Sequence, residues 1–362
     1  TRRSSDLPSS AASRLRMSPI SPAEALSPAS LACNVPAPAE ARVAGLPEAE
    51  AGQECQEAAR AGPEGPAEPV ELRAKPPRVI VPRPAELEAK AARFLAAGAE
   101  HLQLIVDFDH TLTCFFAPDG SPAPMCHDVV EHSPAMPEAF REGYRQLWAD
   151  QRAALARGDW RWETWWSRSH ALMAAHGLQR QWLPEMVRAS GMRCREGCRE
   201  LFSLLRRHGI PVLIVSAGIT QVIRAVLERE GVPLGEGVRV LANEMRFDEA
   251  TGALEGFSEP VLHSFNKDSV GHRAREYFVA VGRKNAVLAG DSLGDANCLC
   301  NVPGLDGEIR VAFFNAGKHL GKRTQFEEAF DVLLSSEDLE PGVGELGLWP
   351  FVELLRIWGM AA

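Results

Sequence analysis

Residues 102–113 read Leu-Gln-Leu-Ile-Val-Asp-Phe-Asp-His-Thr-Leu-Thr. An apolar run, Leu104 to Val106, ends abruptly in two carboxylates two positions apart. Strand side chains alternate with period two, so Asp107 and Asp109 fall on one face of an extended chain. Two like charges at the end of a buried strand serve no packing purpose, and each would cost roughly several kcal/mol to desolvate unpaired. A bound divalent cation removes that cost. This stretch therefore predicts a buried strand with an anionic end and a cation beside it.

Composition narrows the classes. A chain of 362 residues has room for one large domain or two smaller ones, and 45% apolar with 24% charged residues fits a soluble globular body. A net charge of −9 argues against nucleic acid as a general partner. No apolar stretch approaches the length of a transmembrane helix, so no membrane partner is expected. Eight cysteines are scattered without a paired CxxC spacing. That disfavours a zinc module and reads as reduced thiols in a cytoplasmic protein.

Residues 1–83 are rich in Ala, Pro, Ser, Gly and Glu and show neither helical nor strand period, so a disordered tail is expected. Its first thirty residues carry nine serines, four arginines and two acids. This balance leaves two readings open: a transit segment for a plastid or mitochondrion, or a tail with no address. From Pro84 the pattern turns regular. A helix is predicted over 84–97, with proline in its first turn and Gly98 past its end. Strands are predicted at 102–106, 211–215, 238–242 and 285–289, with helices at 197–208 and 221–230. A β-hairpin is predicted around Ala250-Thr251-Gly252, and a C-terminal amphipathic helix within 336–362. Alternating strands and helices imply an α/β fold with a doubly wound, mostly parallel sheet covered on both faces. Residues 114–195 are mostly helical and interrupt the alternation after its first strand. They read as an inserted helical cap, leaving 84–113 and 196–362 as the core.

The polar residues that end strands should converge on one sheet edge. Asp107 and Asp109 end the first strand and Ser216 the second. Lys267 follows the hairpin, and Asp291 ends the fourth strand in Gly290-Asp291-Ser292-Leu293-Gly294-Asp295. Three carboxylates, a hydroxyl, a lysine and glycine-freed amides suit Mg²⁺ and a phosphoryl group, since hard oxygen ligands select magnesium over zinc. Taken singly, each signal has a plainer reading: a chance DxDxT, a turn, a solvated lysine, a calcium-like loop. Their order and spacing within one chain favour the joint site.

These four segments resemble the motifs of the haloacid dehalogenase-like phosphohydrolases. Several further segments narrow the resemblance to the cytosolic 5′-nucleotidase III, or pyrimidine 5′-nucleotidase, family. They are Cys126-His127, Ser169-His170, Arg195-Glu196-Gly197, Ile210–Ile219, Phe247-Asp248-Glu249 and Phe265-Asn266-Lys267. The resemblance covers about residues 88–335. It implies a Rossmannoid core and the hydrolysis of nucleoside 5′-monophosphates, pyrimidine or 7-methylguanosine, through an aspartyl-phosphate. By it Asp107 is the nucleophile and Asp109 the proton carrier. Ser216, Ala217 and Lys267 bind the phosphoryl group, and Ser169 contacts the base. Mg²⁺ is held by Asp107, the backbone carbonyl of Asp109, and Asp291, with Thr111 and Asp295 supporting. The partner expected is a small-molecule nucleoside monophosphate, acted on by a monomer.

The cap is where the resemblance loosens. Six of eight tryptophans fall there: Trp148, Trp160, Trp162, Trp165, Trp166 and Trp182. Aromatic faces can stack on a base, but about four of the six are expected to form the cap's own core. The family carries a base-reading glutamate some twenty residues before the cap serine, and Trp148 stands at that spacing here. Asp150, Asp159 and Glu163 are the acids near enough in sequence to substitute. Two alternatives stand beside the nucleotidase: a phosphatase of the same superfamily for another small phosphomonoester, and a non-catalytic binding protein that retains the fold.

Overall fold

The computed structural model describes residues 78–359 except Trp160, Pro233, Glu236, Asp338 and 340–344. Most of the expected tail, residues 1–77, lies outside the described residues. Its last part does not, because Arg78–Ile80 forms strand β1 inside the stretch expected to be tail. The predicted first helix follows as α1 (Pro84–Ala97), with Gly98 at φ 82° just past its end. The first buried strand is β2 (Leu102–Val106).

Four helices, hereafter the cap, then fill the stretch expected to form it: α2 (Cys126–Glu131), α3 (Glu138–Arg157), α4 (Trp162–Ala175) and α5 (Leu183–Ala189). The chain returns through α6 (Cys198–Arg207), β3 (Val212–Ile219), α7 (Thr220–Arg229) and β4 (Val238–Asn243). The hairpin is β5 (Met245–Phe247) and β6 (Leu254–Phe257). It lies in the stretch assigned to the core yet packs on the cap, where Leu254 N–H donates to Leu178 O at 2.8 Å and Phe257 stacks on His170. Helices α8 (Val270–Arg273) and α9 (Arg275–Val281) lead into β7 (Asn285–Gly290). The chain continues through β8 (Gly307–Phe314), α10 (Ala316–His319), α11 (Arg323–Ala329), β9 (Val332–Ser335) and α12 (Trp349–Ile357).

The main sheet runs β1-β9-β8-β7-β2-β3-β4, parallel throughout except for the antiparallel β1–β9 pair. The doubly wound α/β expectation holds. The sequence reading missed three strands, β1, β8 and β9, for physical reasons. β8 mixes charged residues (Glu308, Arg310) into its apolar run, while β1 and β9 have only three and four residues. Period two is visible in β2, where Leu104 and Val106 join the core beneath α6, α7 and α12 while Ile105 packs with Tyr277 and Phe278 of α9.

The winding reverses at β2. One course goes through β3 to β4 and the other through β7 to β8 and β9. Such a reversal opens a crevice beyond the carboxyl ends of the two central strands. Asp107 follows β2 and Asp291 follows β7, so the topology itself sets them side by side.

Candidate active site

Asp107 and Asp291 are both buried and are joined by Asp295, which sits in the turn after β7. One carboxylate oxygen from each of the three lies within 4.8 Å of the others. Close approach in this turn depends on glycine. A Cβ on Gly290 would fall 2.3 Å from Asp295 Cβ, and one on Gly294 would fall 2.1 Å from Ser264 O.

Two lysines offset this charge. Lys267 Nζ donates to Asp107 Oδ1 at 2.7 Å and to Asp295 Oδ1. Lys318 Nζ donates to Asp291 Oδ2 at 2.9 Å. Burial would depress the Lys267 ammonium, but Asp107 and Asp295 outweigh it and hold its pKa well above the usual lysine value. Asp107 goes the other way. Burial pushes its carboxyl well up, and Lys267 only partly opposes the combined effect of burial, Asp295 and Asp291. Asp291 is pushed up by burial and brought below its usual range chiefly by Lys318. Three buried carboxylates against two ammonium groups still favour one more cation, and an all-oxygen donor set fits a hard divalent ion.

The other predicted residues take distinct places. Thr111 Oγ1 donates to Asp107 Oδ2 at 3.3 Å. Asp295 Oδ2 accepts from both the backbone N–H and the hydroxyl of Ser292, each at 2.8 Å. With its other oxygen on Lys267, Asp295 is largely engaged by the protein, which suits a supporting part. The carboxylate of Asp109 stands outside the three-acid cluster and accepts from Cys126 N–H at 3.0 Å. Burial raises its pKa to about 6.

Ser216 is buried in β3, and its hydroxyl accepts from Gly218 N–H at 2.9 Å. A side chain on Gly218 would meet Cys126 Sγ at 2.7 Å, so this turn closes directly under α2. The carbonyl of Ala217 accepts from Asn243 Nδ2 at 2.8 Å and from Trp166 Nε1 at 3.2 Å. A cap tryptophan therefore touches the segment expected to bind phosphate. Ser169 sits apart from the acids, fully buried in α4, with its hydroxyl against Tyr144 OH. His170 and His127 face each other, Nε2 to Nε2, at 3.2 Å. Burial holds His127 well below the usual imidazole value and His170 at about 4, so both rings are neutral at neutral pH.

Sequence reasoning missed Lys318 and Asn315. Asn315 directly follows β8, accepts from Arg195 Nη2 at 2.9 Å through Oδ1 and donates from Nδ2 to Asp291 Oδ2 at 3.4 Å. Reading β8 as a strand would have placed Asn315 and the following Lys318 at the same sheet edge. Arg195, noted only as part of a motif, is fully buried. It donates to the carbonyls of Thr111, His110 and Leu346 at 2.9, 2.7 and 2.7 Å, and it pairs with Glu345. It thereby ties the turn after Asp109 to the segment between α5 and α6, where Thr113 and Cys194 form an isolated β-bridge.

A family model described as pyrimidine 5′-nucleotidase (UMPH-1) matches residues 110–341. The chain belongs to the pyrimidine 5′-nucleotidase family. A 7-methylguanosine phosphate-specific 5′-nucleotidase A of Xenopus laevis is 30% identical over 263 residues, covering 70% of this chain and 89% of that protein. A 7-methylguanosine phosphate-specific 5′-nucleotidase of Gallus gallus is 29% identical over 249 residues, covering 67% and 85%. The crystal structure of cytosolic 5′-nucleotidase IIIB bound to cytidine superposes with a TM-score of 0.67 at 25% identity, over 77% of this chain and 93% of that one. The family expectation from the sequence is borne out, and so is the haloacid dehalogenase-like fold of this pyrimidine 5′-nucleotidase family member.

Proposed function

We propose that this 5′-nucleotidase hydrolyses nucleoside 5′-monophosphates with Mg²⁺ and takes 7-methylguanosine 5′-monophosphate in preference to pyrimidine nucleotides. The observation that carries the hydrolysis is the placement of Asp107. Its carboxylate ends the strand at which the sheet reverses, bonded to Lys267 and beside two further acids.

In this reading an oxygen of Asp107 attacks the phosphorus in line, and the bond from phosphorus to the ribose 5′-oxygen breaks. Asp109, whose pKa burial raises to about 6, acts from its protonated form and gives its proton to that leaving oxygen. A water then attacks the aspartyl-phosphate. Asp109 takes the water's proton, and phosphate leaves with Asp107 restored. Lys267 and the backbone amides around Ser216 and Ala217 balance the phosphoryl oxygens. Mg²⁺, held by Asp107, Asp291 and the carbonyl of Asp109 with Asp295 behind, would screen an anionic nucleophile from an anionic phosphate. Ser169 and the aromatic cap receive the nucleoside.

The names of the Xenopus and Gallus relatives support 7-methylguanosine as the base. The cytidine bound to the similar IIIB enzyme supports a pyrimidine as the second reading. Relatives named cytosolic support a cytoplasmic site of action, and we infer a monomer, which size-exclusion chromatography reads directly. Among the described residues, no helix is long and apolar enough to cross a membrane.

The test is phosphate release by the full chain from 7-methylguanosine, cytidine, uridine and guanosine 5′-monophosphates and from ribose 5-phosphate, with and without Mg²⁺. The expected result is Mg²⁺-dependent release, with the highest kcat/KM on 7-methylguanosine 5′-monophosphate. Release from no nucleotide sinks the reading. Ribose 5-phosphate outrunning every nucleotide would show that the cap reads no base.

A further inference from the structure

Trp148 stands at the spacing expected for a base-reading glutamate, and its indole meets a carboxylate carried by another helix. Trp148 Nε1 donates to Glu131 Oε1 at 2.7 Å. Glu131 is the last residue of α2, and the first residue of that helix, Cys126, donates its backbone N–H to Asp109. Six helical residues span about 9 Å, so one short rigid element reaches from the proton carrier to this acid. Glu131 is 8% exposed, and its second oxygen, Oε2, is buried without a partner.

The acids that sequence spacing offered do not compete. Asp150 is tied to Arg168 and Gln146 on the outer face, at 2.6 and 2.7 Å. Asp159 is exposed and paired with Arg157. The side chain of Glu163 lies outside the described residues.

A buried, unpartnered carboxylate oxygen is costly to keep, and its surroundings point to what removes that cost. Trp165 packs on Trp148, ring centroids 5.2 Å apart, and on His127 at 5.3 Å. Its own Nε1 is buried without a partner. Gln151, three residues along α3 from Trp148 and so on the same helix face, carries an unpartnered Nε2. An unmet acceptor, two unmet donors and aromatic faces complement a planar heterocycle whose edge both donates and accepts. Guanine is such a base, with N1–H and N2–H beside O6. Methylation at N7 gives the ring a positive charge, which a buried carboxylate and tryptophan faces both favour.

We propose that Glu131 is the base-reading acid of this enzyme, that Oε2 accepts from the N1–H/N2–H edge of 7-methylguanine, and that Trp148 positions it. The inference rests on the nucleotidase reading above.

Its test is steady-state kinetics with Mg²⁺ on 7-methylguanosine 5′-monophosphate, cytidine 5′-monophosphate and ribose 5-phosphate. Glu131→Gln keeps an acceptor for Trp148 and nearly the same volume. It should raise KM for 7-methylguanosine 5′-monophosphate about 10- to 100-fold, the range for losing a hydrogen bond to a charged group. It should leave kcat and the turnover of ribose 5-phosphate near wild type. Trp148→Phe, which keeps a ring and loses the N–H, should raise the same KM by a smaller factor.

If Glu131→Gln leaves the ratio of KM values between the two nucleotides unchanged, the inference is overturned. Equal losses on all three substrates overturn it as well, since they mark a purely structural role. A wild-type enzyme inactive on every nucleotide would sink the nucleotidase reading and this inference together, whereas an active wild type with an indifferent Glu131→Gln sinks only the inference.

Discussion

The acids and lysines of the site's floor are held differently from the polar side chains of its cap. On the floor, the acids and lysines are all engaged: Lys267 joins Asp107 to Asp295, Lys318 holds Asp291, and Cys126 N–H holds Asp109. In the cap, Glu131 Oε2, Trp165 Nε1, Gln151 Nε2 and His170 Nδ1 are buried with no partner. A floor set in advance spends little on reorganisation when charge moves during reaction. A cap with unmet donors and acceptors gains most when a ligand supplies them. Chemistry should therefore be robust to changes in the cap, and base preference should be sensitive to them.

The largest effect should follow from Asp107→Asn. An amide cannot form the acyl phosphate, so kcat should fall on the order of 10⁴-fold or more on every substrate, nucleotide or not. Circular dichroism should stay unchanged. Near wild-type turnover would remove the nucleophile assignment and, with it, the division between floor and cap. Chelation of divalent ions with EDTA should act alike on all substrates and be reversed by added Mg²⁺. Loss of activity on nucleotides alone would mean that the ion serves the cap.

These two regions were also unequally legible in the sequence. The floor is made of strand ends, and strands announce themselves by apolar runs that stop at Asp107, Ser216 and Asp291. Once a parallel sheet is inferred, topology brings those stops together without any knowledge of packing. Lys318 and Asn315 escaped because β8 carries Glu308 and Arg310 in its run and was not read as a strand. The cap offers no such rule. Glu131 meets Trp148 only through the packing of α2 against α3, seventeen positions apart, and helical periodicity says which face is apolar but not which neighbour it meets. Searching by spacing pointed to Asp150, Asp159 and Glu163, on the segment where the family keeps its acid. The acid proposed to read the base, Glu131, lies on a different helix.

The junction tests whether the two regions are one mechanical unit. Arg195 is buried and binds the carbonyls of His110 and Thr111 in the turn after Asp109 and that of Leu346 in the segment before α12. Arg195→Met leaves Glu345 without its cation and several carbonyls without a donor. The expected loss of stability is about 3–5 kcal/mol, the cost of breaking a buried pair by removing one partner, read from urea or thermal unfolding of the variant. If the cap instead hangs independently, unfolding should split into two transitions with only the cap's part shifted.

The smallest expected effect sharpens the boundary most finely. Trp166 donates a hydrogen bond from the cap to the floor, Nε1 to Ala217 O at 3.2 Å. Trp166→Phe removes that donor and keeps an aromatic ring. The acceptor is not orphaned, because Asn243 Nδ2 still donates to it at 2.8 Å. Without an unsatisfied carbonyl, the penalty should be that of an ordinary net hydrogen bond, about 1 kcal/mol, or roughly fivefold. What that fivefold touches decides the point. A rise in KM shared by nucleotides and ribose 5-phosphate places the bond on the floor's side, where it steadies the phosphate-binding turn. A change confined to nucleotides places Trp166 with Glu131 and Trp148, and moves the boundary between chemistry and base recognition one residue closer to Asp107.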